Sequence, residues 1–226
     1  MQFGAPMSSS PVRATVLASA VGVAALVAGG TLGVVPAHAG LTVPVNCALE
    51  GEDGLELAWD DTTYVLEGVC GTVRVTADDA VVTMPTATHL HVTGERNQVT
   101  AKTQGLVVVA GADNRVEATS AEELLVTGPR SAVTSPGLVE RVEVTGTGVS
   151  VTADRVHEVV LRGSGNTLAA RRGWTTKVVG DANSVTHRRL DRLRVRGDGN
   201  RVEVTRNRPQ VRVRGVGNVV TVPRRG

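Results

Sequence analysis

Short runs of alternating apolar and polar residues recur from Val73 to Val220 at a nearly constant spacing. Val195-Arg196-Gly197-Asp198-Gly199-Asn200-Arg201-Val202 shows the unit: the alternation runs into a glycine turn and resumes after it. The leading glycine falls at Gly94, Gly111, Gly128, Gly146, Gly163, Gly180, Gly197 and Gly215, with Ala77 in its place in an earlier copy; the steps are 17 residues, apart from two of 18. Two positions before it stand Val75, Val92, Val109, Val126, Val144, Leu161, Val178, Val195 and Val213. Five positions after it stand Val82, Val99, Val116, Val133, Val151, Leu168, Val185, Val202 and Val220. A further column, four before the glycine, is aliphatic from Val73 to Val211 except at Thr176.

Period-two alternation in β-branched residues on both sides of a turn predicts two short strands per repeat. Constant columns mean that the same strand recurs in register, the mark of a repeat architecture. Linking segments such as 102–106 and 171–175 vary in sequence but keep their length, as the outer turn of a coil would. The predicted fold is therefore all-β, a single-stranded parallel β-solenoid of about nine coils of 17–18 residues over 71–226. The crossover rule favours a right-handed coil. One coil buries too little to fold alone, so neighbouring coils must supply backbone partners and the remaining burial.

Three positions after the glycine stand Asn97, Asn114, Asn166, Asn183, Asn200 and Asn218, replaced by Ser131 and Val149 in two copies. Glycine at a corner supplies a positive φ, and Asn tolerates left-handed geometry while its amide bonds nearby backbone. Stacked asparagines can also bond one another in a ladder. A calcium loop would need a cluster of oxygen ligands. The position after the glycine instead reads Asp78, Glu95, Ala112, Pro129, Thr147, Ser164, Asp181, Asp198 and Val216. No helical pattern follows these glycines, so a phosphate loop is not expected either. Neither metal nor cofactor is expected.

Repeats of the form VxGxxNxV, as in Val92-Thr93-Gly94-Glu95-Arg96-Asn97-Gln98-Val99 and Val195 to Val202, follow a leader and a Cys-containing segment. They resemble a family of secreted actinobacterial proteins catalogued as a domain of unknown function. The resemblance covers Cys47 to the C-terminus, implies a β-solenoid outside the cytoplasm, and transfers no catalytic residue. The chain departs from the pattern at Ala77, Ser131 and Val149.

Residues 1–39 differ in composition: Arg13 is the only charge before Glu50, and 14–37 is apolar and small. Ala37-His38-Ala39 has the small-x-small form of a signal-peptidase site, so residues 1–39 are read as a signal peptide, with an uncleaved anchor as the alternative. Cleavage would leave no transmembrane span. The two cysteines, Cys47 and Cys70, are expected to pair as a disulfide in an N-terminal cap over 40–70. The expected location is secreted or cell-envelope.

Charge changes the picture most. Residues 40–139 hold 14 acidic against 5 basic side chains, and residues 140–226 hold 8 against 18. Nine positions after the glycine, Arg155, Arg172, Arg189, Arg206 and Arg224 recur in successive copies, and Arg194, Arg196, Arg212 and Arg214 occupy outward strand positions. A solvated, edge-protecting face accounts for these residues; so does a stripe that binds a polyanion such as an anionic envelope polymer or acidic glycan. With only Trp59, Tyr64 and Trp174 as aromatics after the leader, base stacking and specific nucleic-acid recognition are not expected. The near-constant coil length predicts no catalytic cleft, and the paired acids Asp60-Asp61 and Asp78-Asp79 lack neighbours to orient a sugar. The expectation is a non-catalytic scaffold whose arginine-rich C-terminal half binds anionic polymers. The alternatives are a polysaccharide-active β-helix enzyme and a head-to-tail self-associating structural protein.

Overall fold

The computed structural model describes residues 40–49 and 54–224; the expected signal peptide lies outside them. The first strands are β1 (Thr42–Asn46), β2 (Leu55–Leu57), β3 (Thr63–Glu67), β4 (Val69–Val75), β5 (Val81–Met84) and β6 (Thr86–Val92). Longer strands that bend through most of a coil follow: β7 (Gln98–Val109), β8 (Arg115–Val126), β9 (Ala132–Val144), β10 (Ser150–Arg162), β11 (Thr167–Val179) and β12 (Ser184–Arg196). The last are β13 (Arg201–Val204), β14 (Gln210–Arg214) and β15 (Val219–Thr221). Pairing is parallel throughout, and the coils stack as a β-solenoid of about ten turns.

Stacking begins before the glycine repeat is recognisable. β1 pairs with β3 and β3 with β5, while β2 pairs with β4, so Leu55 and Leu57 take the places of Val73 and Val75 one coil earlier. The segment expected as a cap thus carries solenoid strands of its own. Cys47 and Cys70 form a disulfide there, with Cα atoms 4.9 Å apart.

The linking segment is also more than an outer turn. Thr103 and Gln104 pair with Ser120 and Ala121 of the next coil, which makes a third stacked segment per coil. Two further inward columns result, one through Ala101, Ala118, Ser135, Ala153, Ala170, His187 and Val204, the other through Gln104, Ala121, Val139, Val156, Gly173 and Leu190. Their small or mixed side chains conceal the periodicity in the sequence. The extra residue of the coil between Gly128 and Gly146 is absorbed beside Pro136-Gly137, where Ala153 pairs with Ser135 but Arg155 with Leu138.

The turn works differently from expectation. The left-handed residue is the one two positions after the repeat glycine: Asp79, Arg96, Asp113, Arg130 and Ala182 have φ between 53° and 57°, and Gly148, Gly165, Gly199 and Gly217 between 63° and 70°. Among the repeat glycines, only Gly163, Gly180, Gly197 and Gly215 have positive φ. What the glycine column requires is close approach, since a Cβ at Gly111 would lie 1.9 Å from the carbonyl oxygen of Gly94. The asparagines are not the left-handed residues either. All but the half-buried Asn218 lie buried, and each clamps two coils. Asn97 N–H donates to Asn114 Oδ1 at 2.8 Å, and Asn114 Nδ2 donates to the Gly94 carbonyl at 2.8 Å. Among the described residues, amide-to-amide bonds appear only from Asn183 to Asn200 and from Asn200 to Asn218, both 3.0 Å. Ser131 substitutes with its hydroxyl, which accepts from Asn114 N–H and donates to the Gly111 carbonyl.

Candidate functional site

Several turn carboxylates accept backbone N–H groups of the following coil. Asp78 Oδ1 accepts the Glu95 N–H at 2.7 Å, and Asp181 and Asp198 accept the N–H groups of Asp198 and Val216 at 2.7 Å. Among the described residues no group of three or more His, Cys, Asp or Glu could hold a metal ion. His89 and His91 lie on β6 with ring centroids 6.4 Å apart.

Three arginines, two in the acidic half and one in the basic half, are neutralised by an aspartate of the coil before them. Arg96 makes a bidentate pair with Asp79 (2.9 and 2.7 Å), Arg130 one with Asp113 (2.8 and 2.6 Å), and Arg171 one with Asp154. Each guanidinium holds its partner's carboxyl below the usual carboxylate range by charge-assisted hydrogen bonding. Arg141 bridges Glu123, Glu143 and Glu158 across three coils.

The C-terminal arginines singled out in the sequence form two groups on different parts of the coil. One is the column nine positions after the glycine: Arg155, Arg172 and Arg189 pair in register, and the Arg206 N–H continues the ladder to the Arg188 carbonyl. Arg155 has Asp154 at 3.6 Å. Arg224 lies beyond β15 and is not joined to the column by strand pairing.

The other group lies on the strand before the turn. Lys177, Arg194 and Arg212 form one outward row, and Arg196 and Arg214 form a second row two residues along. Successive same-face residues are about 7 Å apart along a strand, and coils about 4.8 Å apart. The rows therefore flank a channel that runs with the stack. A groove of about 240 Å³ lies between them, with Val178 and Val195 also in its lining. Among the described residues, Arg172, Arg189, Arg194, Arg196, Arg206, Arg212 and Arg214 have no carboxylate at salt-bridge distance. Cations about 5 Å apart in water repel by about 1 kcal/mol per neighbour, less in salt. The rows can stand without a ligand, and an anion laid along them would relieve that repulsion.

Sequence reasoning missed one surface feature beside the ladder. Trp174 is half-exposed and stacks on His157 of the preceding coil, with centroids 5.9 Å apart and planes 4° from parallel. Both residues stand eleven places after their repeat glycine, a coincidence visible in the alignment.

No protein-family model, no curated protein and no solved structure matches this chain.

Proposed function

We propose that the protein is an exported, non-catalytic scaffold that binds an anionic polymer along the groove between Lys177-Arg194-Arg212 and Arg196-Arg214. The observation that carries this reading is the contrast in charge pairing. Arg96, Arg130 and Arg171 each hold a carboxylate of the neighbouring coil, whereas Arg194, Arg196, Arg212 and Arg214 stand exposed in two parallel rows with no such partner among the described residues. A row of cations repeating every coil suits a ligand with repeating negative charge, because each added anionic group meets the same environment one coil further on. Planar guanidinium groups also suit bidentate contact with carboxylate, sulfate or phosphate. The leader-like N-terminus and the cysteine pair support a location outside the cytoplasm.

The test is binding of the full chain to a panel of anionic polymers (a polyuronate, a sulfated glycan and a polyphosphate) at rising salt. Binding at low salt that weakens steeply with salt, and is lost when Arg194, Arg196, Arg212 and Arg214 become Ser, is the expected result. Unchanged binding in that variant, or none at low salt, overturns the reading. The same substitutions at Arg155, Arg172, Arg189 and Arg206 measure what the second ladder adds.

A further inference from the structure

Among the described residues, the last coil leaves core side chains partly uncovered. Val211 and Val213 continue columns that are fully buried or nearly so in the interior, yet each is 40 % exposed on β14, the last strand before the turn. At the opposite end, Leu55 of β2 and Val43 and Val45 of β1 are inward positions only partly covered.

Among the described residues, backbone groups at the same two places have no strand partner on their outer side. Thr93 N–H donates to the Val75 carbonyl and Thr127 N–H to that of Val109, so this column's carbonyls face the following coil. Val213 is the last described member of this column, and among the described residues no strand pairs beyond β14. At the other end, Thr76 N–H donates to Leu57 O, so Leu57 faces the second coil and the alternation turns the Glu56 N–H and C=O outward. The β1 edge is different. Leu41 O accepts from Thr63 N–H, which puts Pro44, without an N–H, on the outer side.

We infer that a second copy of this chain docks end to end, its β2 edge extending the sheet at β14. Leu55 pairs with Val73 and Leu193 with Val211 within one column of the stack, so continuing the register sets Leu55, Glu56 and Leu57 of the second copy beside Val211, Arg212 and Val213. Two apolar pairs then close over the exposed core, and opposite charges meet directly across the strands at Arg212 and Glu56. The contact also sets the acidic end of one copy on the basic end of another. It joins different surfaces on its two sides, so it does not close on itself and propagates as a filament. Pro44 confines new backbone pairing to the β2 side of the coil.

Within one chain Glu56 and Arg212 lie nine coil steps apart, about 43 Å at about 4.8 Å per step, so a bond between positions 56 and 212 must join two copies. Neighbouring parallel strands bring Cα atoms to about 4.8 Å, within disulfide reach. The experiment places Glu56→Cys and Arg212→Cys in the full chain, together and singly, and oxidises each under low salt. The double variant is expected to give a ladder of multimers, and an equimolar mixture of the two single variants a product that stops at the dimer. Monomer alone from the double variant overturns the inference, as does a cross-linked dimer from either single variant by itself. Sedimentation of the unmodified chain supplies the second reading: assembly that grows with concentration and is lost in Val213→Asp supports the contact, and a monomer at every soluble concentration in low salt refutes it. None of these outcomes depends on polymer binding.

Discussion

The ring of His187 occupies the space that a side chain at Gly173 would need: a Cβ there would lie 2.7 Å from His187 Cε1 and 3.0 Å from Leu190 Cδ1. Gly173 and Leu190 share one inward column, while His187 sits in another that carries Ala153 and Ala170 in the preceding coils. The large residue in one column and the missing side chain in the other balance in volume. Gly173→Val alone is therefore expected to lower stability by about 1–3 kcal/mol through overpacking. Combined with His187→Ala, it should recover most of that loss. A double-mutant cycle from urea unfolding checks this, and additive effects would show that the two sites are independent.

The same histidine makes stability depend on pH. His187 is fully buried, with Nε2 3.0 Å from the Thr176 hydroxyl and Nδ1 without a hydrogen-bond partner. Burial pushes its pKa down from 6.5 to about 4, so the unfolded chain takes up the proton first. Stability is then fully present above pH 6.5 and falls as pH drops towards 4, by about 3 kcal/mol at roughly 1.4 kcal/mol per pKa unit. Asp79, Asp113 and Asp154 have depressed values instead, so their contributions are lost at lower pH, below the ordinary carboxylate range. The expected profile has a first loss of stability between about pH 6.5 and 4 that is absent in His187→Leu. Urea midpoints measured across that window provide the check, and an identical slope in both proteins would assign the effect elsewhere.

Columns with one chemistry throughout are legible in the sequence. The valine columns around the turn, such as those of Val126 and Val133, specify stacked parallel strands because a buried position in a repeat tolerates little else. The columns through Ala101 and Gln104 are not legible: they mix Ala, Ser, His, Val, Gln, Gly and Leu, and their core role follows from compensation between neighbours such as Gly173 and His187. The first coil is hidden for a related reason. Trp59 stands two positions after Leu57, where later coils have glycine, so no repeat signature marks a strand that pairs all the same. The basic columns can be read residue by residue, but not which of them face a carboxylate, because Arg171 meets Asp154 across a coil while Arg172 meets none.

The asparagine column has one apolar interruption that invites repair. At most positions the side chain accepts the N–H of the same place one coil earlier and donates to the glycine carbonyl of that earlier coil, as Asn166 does with Val149 N–H and the Gly146 carbonyl. Val149 is buried in this column and can do neither for Ser131 N–H and the Gly128 carbonyl. Val149→Asn is expected to raise stability by about 0.5–1.5 kcal/mol, the usual net value of an added buried hydrogen bond. The reverse change, Asn114→Val, should cost about 1–3 kcal/mol by stranding the Asn97 N–H and the Gly94 carbonyl. Thermal unfolding of the two variants checks the pair, and equal effects of one sign would contradict the clamp.

Ala182 offers a sharper test of where the turn places its strain. It has φ of 54°, whereas Gly148, Gly165, Gly199 and Gly217 fill the equivalent place in other coils of the C-terminal half. An L-residue in the left-handed region costs about 1–2 kcal/mol, and a glycine there avoids that cost while loosening the unfolded chain by about 0.5–1 kcal/mol. Ala182→Gly is thus expected to stabilise the protein by about 0.5–1 kcal/mol. Gly180→Ala, two residues earlier, should do the opposite and by more, since φ there is 134° and a Cβ would lie 2.1 Å from the Gly163 carbonyl oxygen. Overpacking of that kind costs about 1–3 kcal/mol before backbone strain is added. If Gly180 were needed only for its backbone angle, the two substitutions would differ in sign but not in size, and urea unfolding of both would reveal it.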